Sequence, residues 1–174
     1  MKKAYFAILL VVVCVLAVFS GCSSKSEEFL PYQNGLFEAT ATLEVNSKKY
    51  SVDINKTDDN VYRLSFLSPD SLKGVCIDKN KNDLIYSVGG VHVPIRAGSN
   101  LAAESFGLLS LSKEDLISAE SALLNGVKVE VKKFKNDENS VILFLSDETK
   151  MPLRIEANIG GNDITLSFSR FEVK

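Results

Sequence analysis

The chain has 174 residues, with 20 lysines and arginines against 22 acids and a formal net charge of −2. That balance excludes a nucleic-acid binder, which needs a basic stripe, and the "KKFK" stretch at 132–135 is too short and too interrupted by acids to supply one. Three cysteines, one histidine, no Cys-x-x-Cys, no phosphate loop and no Gly-x-Ser-x-Gly elbow argue against the usual zinc, nucleotide and hydrolase sites, so neither a cofactor nor an enzymatic activity is expected.

Met1-Lys2-Lys3 opens the chain with positive charge, and residues 4–19 follow without a single charged side chain. The run is short for a membrane span, which takes about 20 apolar residues, and its flanks are those of a secretory signal. In "VFSGCSSKSEE", 18–28, the greasy run ends in two small residues, then Cys22, then polar chain. Phe19-Ser20-Gly21-Cys22 resembles the lipobox of bacterial lipoproteins. The resemblance implies cleavage after Gly21, a lipid on the Cys22 thiol and acylation, palmitate-like, of the new amino terminus. Residues 1–21 are then a lipoprotein signal peptide, and 22–35 a lipidated cysteine and tether. An uncleaved anchor and a plain secretory signal are the other readings of the run, and each places the remainder outside the cytoplasm. If lipidated, the protein is held by about 0.8 kcal/mol per buried methylene, and two or more chains make a firm anchor. Lysine-heavy, asparagine-rich usage is common in AT-rich genomes, so the expected address is the outer face of a Gram-positive cell membrane.

Processing removes Cys14 and modifies Cys22, which leaves Cys76 alone and rules out an intramolecular disulfide. Cys76 lies in the strand-like "LKGVCIDK" and reads as an inert thiol rather than a nucleophile. From Leu36 the hydrophobic period becomes two. "LFEATATLEV" puts Phe37, Ala39, Ala41, Leu43 and Val45 on one face, and "KKYSVDINK" and "VYRLSFLS" repeat the pattern. Asn46-Ser47 supplies a hairpin turn between the first two. Shorter strands follow in "GVCID", "DLIYSV" and "VHVPI", where His92 faces away from Val91 and Val93.

After Gly98-Ser99 the pattern reads as helical. "NLAAESFGLLS", 100–110, predicts a short helix. "LSKEDLISAESALLNG", 111–126, predicts a longer one, with Ser112 as N-cap, a Leu116, Ala119, Leu123 stripe and Asn125-Gly126 as the stop. Glu114-Asp115 then suits the first turn as dipole complement rather than a catalytic carboxylate pair. Four more strands close the chain, "VKVEVKKF", "SVILFLS", "PLRIEANI" and "DITLSFSRFEV", the last two joined through Gly160-Gly161.

The expected fold is α+β and mainly antiparallel: a curved, unclosed half-barrel of about ten strands with two helices inserted as a lid. Two short helices cannot cover so wide a concave face, and the surplus apolar surface predicts a cavity. Its candidate lining is Phe66, Tyr86, Phe106, Leu109, Leu116, Leu123, Ile155 and Phe168, although for any one of them plain core is the stronger reading. The strands–two helices–strands order, "VYRLSFLSPDSLKG" early and "MPLRIEANIGGNDITLSFSRFEV" at the end, resembles the LolA/LolB superfamily over residues 36–174. That resemblance implies a non-covalent pocket for acyl chains, lipids or lipoproteins. A second expectation is a sensing or interaction domain that grips another envelope protein without a lipid ligand.

Overall fold

A computed structural model describes residues 29–80, 83–95, 105–136 and 139–174. The period-two segments form β1 (Phe37–Val45), β2 (Lys48–Asp58), β3 (Val61–Ser68), β4 (Cys76–Asn80), β5 (Asp83–Val88) and β6 (Val91–Ile95), then β7 (Leu116–Leu124), β8 (Val127–Asn136), β9 (Asn139–Ser146), β10 (Pro152–Ile159) and β11 (Asn162–Val173). All eleven belong to one open antiparallel sheet in the order β6-β5-β4-β3-β2-β1-β11-β10-β9-β8-β7. Within β1–β6 and within β7–β11, neighbours in sequence are neighbours in space, as short links require. The exception closes the centre, where β1 and β11 pair from Phe37↔Val173 to Val45↔Ile164. β6 and β7 are left as the two free edges.

Several hairpins use two-residue turns with positive φ at both positions: Asn46-Ser47 (46° and 69°), Asn125-Gly126 (51° and 82°) and Gly160-Gly161 (55° and 79°). This turn geometry matches the right-handed twist of the strands it joins. Alternation then sorts the side chains. Phe37, Ala39, Ala41 and Leu43 of β1 are buried on one face, while Glu38, Thr40, Thr42 and Glu44 lie on the other.

The buried face is hollow. Tyr62 of β3 stands on it with its hydroxyl 2.8 Å from Ser110 Oγ, and Leu116, six residues further on, opens β7. Six residues reach about 21 Å at most. Seven strand spacings separate β3 from β7, about 33 Å in a flat sheet. The sheet must curl for the chain to bridge its sides. One apolar cluster fills the hollow, from Leu64, Ile77 and Leu84 on one side, through Phe37, Leu166 and Ile155, to Leu143, Leu145 and Phe134 on the other.

Two expectations are corrected. Among the described residues the strands number eleven, not about ten, and the second lid helix does not form. Within 111–126 only Lys113–Asp115 makes a single 3-10 turn, with Ser112 Oγ accepting the Glu114 N–H at 3.2 Å. Leu116–Leu124 is strand β7. Asn125-Gly126 is the reason: it folds as a hairpin turn rather than a helix C-cap, which lays 116–124 back along β8 from Leu116↔Phe134 to Leu124↔Val127. Ladder pairing and the bulge between Leu116 and Ser118 outweigh the helical spacing. Of the first predicted helix, residues 105–107 are helical, and 100–104 lie outside the described residues.

Candidate functional site

No second layer of regular structure covers the hollow among the described residues. Two non-sheet segments do so instead. One is 105–111, on the route from edge strand β6 to edge strand β7, which buries Phe106, Leu108 and Leu109 to 1% exposure or less. The other is 29–33, which the sequence reads as tether. Leu30 is 2% exposed and Tyr32 fully buried, and Pro31–Gln33 forms one 3-10 turn. Tyr32 packs edge-on against Phe37 and Phe171, at 6.4 and 5.6 Å between ring centres, and Phe29 packs against Phe134 at 6.0 Å.

Few polar contacts hold this plug. Gln33 Nε2 donates to the carbonyls of Leu109 and Leu111 at 3.3 and 3.2 Å, which ties the two segments together. Lys132 Nζ donates to the Phe29 carbonyl at 2.9 Å. Lys56, only 5% exposed, donates its ammonium to the Gln33 carbonyl, and its one carboxylate neighbour among the described residues is the exposed Asp59 at 3.7 Å. Among the described residues the Tyr32 hydroxyl has no hydrogen-bond partner. Burial drives that phenol well above its ordinary pKa; the adjacent Gln33 side chain offsets part of the rise, and Tyr62 adds to it. A buried lysine and an orphaned hydroxyl are costly in an apolar core. They sit where the chain's own N-terminal segment lies on the sheet.

The concavity left open on the hollow side is a notch of about 190 Å³ between Phe29, Pro31, Lys113, Glu130, Lys132, Leu145 and Lys150. Ligand pockets usually measure about 300–1,000 Å³, so this notch by itself is smaller than the wide cavity expected from the sequence. A larger groove of about 500 Å³ lies on the outer face, with Glu38, Asn55, Val61, Arg63, Asp78 and Ile85 in its walls. Its central charges neutralise each other: Arg63 grips Asp78 with two hydrogen bonds, at 2.6 and 3.2 Å. That makes it a poor site for an apolar guest.

The structure brings seven of the eight candidate lining residues to the hollow side. Phe106, Leu109 and Ile155 are in the buried cluster, and Phe66, Tyr86, Leu116 and Phe168 pack against it half-buried. Leu123 does not reach the cluster; it is 74% exposed on edge strand β7. Sequence reasoning missed Leu30, Tyr32, Lys56 and Lys132. The signal for the first two was there in the apolar "FLPY" inside an otherwise polar tether. Cys22 lies outside the described residues. His92 is exposed and shares a hydrogen bond with Ser87 at 2.8 Å. Cys76 is half-buried, its sulfur 3.4 Å from Ser65 Oγ. Among the described residues no cluster of ligand-type side chains could hold a metal, and no helix is long and apolar enough to cross a membrane.

No protein-family model matches the sequence, and no curated protein matches it significantly. Solved structures do match. An uncharacterized conserved protein from Thermus thermophilus is similar at 14% identity, over 80% of this chain and 79% of that one, with a TM-score of 0.55. This is a likeness of fold. Structural neighbours also include a LolA superfamily protein from Nitrosomonas europaea (11% identity, 80% and 86% covered, TM-score 0.42) and a domain assigned to outer membrane lipoprotein sorting from Vibrio parahaemolyticus (12%, 80% and 86%, 0.47).

Proposed function

We propose that this chain is a lipid-anchored protein of the cell envelope, tethered through Cys22 on the outer face of the membrane, and that its hollow sheet binds the apolar part of an amphipathic ligand without covalent chemistry. The ligand class is an acyl chain, a lipid or a lipoprotein. The observation that carries this reading is the plug. A continuous apolar face is covered by two short segments with few polar ties, one of which brings an orphaned hydroxyl and a carbonyl held by a buried lysine. An apolar guest would take the place of residues 29–33 or 105–111 and recover their burial, at about 25 cal/mol per Å². Binding is thus an exchange rather than the filling of an empty cavity. The role we propose is one of binding rather than catalysis: among the described residues the hydrogen-bond partner of His92 is Ser87 and that of Cys76 is Ser65.

Hydrogen exchange tests the exchange mechanism. The processed protein is measured in lipid nanodiscs with and without added palmitate. Amides at 30–33 or 105–111 are expected to exchange faster with the ligand present, while β1 and β11 stay protected. Unchanged exchange in both segments at saturating palmitate would refute the reading. The anchor has its own test: Cys22→Ser should block processing or release the protein from the membrane fraction, and unchanged mass and fractionation would rule lipidation out.

The second reading, an envelope protein-interaction domain, rests on β7. This free edge is nine residues long and carries one charge, Glu120, with Ile117 and Leu123 64% and 74% exposed. Long apolar edges are templates for another strand. If a partner docks there, Leu123→Asp abolishes its capture without altering palmitate-induced exchange.

A further inference from the structure

The notch on the hollow side differs in kind from the rest of that face. Three lysines, Lys113, Lys132 and Lys150, line it together with a single carboxylate, Glu130, while Phe29, Pro31 and Leu145 supply apolar wall. Glu130 is divided between two ammoniums, with Lys132 and Lys150 each at 3.4 Å. A charge-assisted hydrogen bond is about 2.7–2.9 Å long, and nearby pairs reach that range: Lys128–Asp147 at 2.7 Å and Lys133–Glu120 at 2.6 Å. One carboxylate is therefore shared by Lys132, which also donates to the Phe29 carbonyl at 2.9 Å, and Lys150, whose contacts to carboxylates are all 3.4 Å or longer. Asp147 does not make up the deficit, because it lies 3.5 Å from Lys150 and is engaged more closely by Lys128. Among the described residues no carboxylate comes within 4 Å of the Lys113 ammonium; its acidic neighbours in sequence are Glu114, which is exposed, and Asp115, which is half-buried. Burial works against the Lys150 charge, but Glu130 and then Asp147 outweigh it and raise its pKa.

Position adds to charge. Phe29 and Pro31 belong to the plug, and Leu145 to the buried cluster, so the notch is where the hollow's apolar interior meets a positive rim. It is large enough for a headgroup and too small for a chain. Phe29 is also seven residues from Cys22, a distance that chain geometry limits to about 25 Å. On the proposed anchoring, the notch stands within reach of the bilayer surface.

We propose that Lys113, Lys132 and Lys150 form the headgroup site of the proposed ligand, and that this ligand is an anionic amphiphile: its oxyanion sits in the notch, and its chain passes Phe29 and Leu145 into the hollow. This rests on the binding role proposed above and specifies the class of ligand. A neutral amphiphile would leave the lysines uncompensated and gain only the apolar term.

The processed, membrane-tethered protein is reconstituted in phosphatidylcholine nanodiscs that contain a trace of one photoactivatable lipid with a diazirine on its acyl chain. The lipid is either phosphatidylglycerol or phosphatidylcholine. Crosslinks are mapped to peptides covering 29–33, 105–111 and 141–145. Near a membrane, a lysine contributes roughly a fivefold gain in affinity for an anionic lipid. The phosphatidylglycerol probe should therefore label these peptides at least fivefold more than the phosphatidylcholine probe. A Lys113→Gln, Lys150→Gln double variant should bring the two yields together by lowering only the anionic one; both positions lie outside the apolar cluster, and circular dichroism confirms folding. Equal labelling by both probes in the unmodified protein would overturn the headgroup site and leave the binding role standing. No labelling by either would overturn both. A preference that survives the double substitution would place the anion elsewhere. Loss of the preference in 10 mM inorganic phosphate would show a site for free oxyanion rather than lipid, which also overturns the proposal.

Discussion

Replacing Tyr32 by phenylalanine tests whether the plug carries a penalty of its own. The ring is fully buried against Phe37 and Phe171, contacts that phenylalanine keeps. Among the described residues the hydroxyl has no hydrogen-bond partner, and a buried polar group left unsatisfied costs about 1–3 kcal/mol. The adjacent Gln33 side chain offsets part of this, so the lower end applies. Tyr32→Phe should stabilise the fold by about 1 kcal/mol, or about 2–4 °C in Tm for a domain of this size. The effect should also grow in alkali. Burial raises the folded-state pKa of Tyr32 far above the unfolded value, so the unfolded chain loses its proton first. The stabilisation tied to the neutral phenol is complete below about pH 10 and declines as pH rises towards the folded pKa. At pH 10.5 the unfolded-state ionisation alone widens the gap between variant and parent by about 0.8 kcal/mol. Urea unfolding followed by circular dichroism at pH 7 and pH 10.5 measures both effects. A loss of stability above 1 kcal/mol at pH 7 would show that the hydroxyl makes a good hydrogen bond. A gap that does not widen at pH 10.5 would show that the phenol titrates freely and that 29–33 is not packed on the sheet.

Ile155→Ala, at a fully buried position of β10, should cost about 2–5 kcal/mol by urea titration, and a cost under 1 would mean that the hollow is loosely filled. In Gly35→Ala the new methyl would lie 2.6 Å from Val173 Cγ1. A loss of about 1 kcal/mol is expected, with rescue by Val173→Ala; failure of that rescue would place the strain in the backbone. Asp147, half-buried, has its pKa held below the usual carboxylate range chiefly by its hydrogen bond to Lys128. Lys128→Ala should move that pKa up in an NMR titration and remove the small part of acid sensitivity that appears as pH falls through the depressed folded value. An unmoved titration would mean that Lys150 or solvent sets it.

Sequence alone determined the strands and their faces. In Leu36–Val45 the alternation is local, and β geometry converts it directly into a buried and an exposed side, so Phe37, Ala39, Ala41 and Leu43 went where their spacing sent them. Short links determined the antiparallel order in the same way. What one sequence could not determine was anything that depends on a distant partner. "LISAESALL" carries both a three-four stripe and a strand, and only the unpaired edge of β8, delivered by the Asn125-Gly126 turn, decided between them. "FLPY" looked like tether because most of what buries it is distant in the chain; besides Phe37, its ring contacts Phe171 and Phe134 are more than a hundred residues away. The notch is of the same kind, since Lys113, Lys132 and Lys150 share a site only because the curl of the sheet brings the β7–β9 side against residues 29–33. Local periodicity selects the element and its face, whereas burial and charge balance are sums over contacts that exist only once the sheet has closed round its own N-terminal segment.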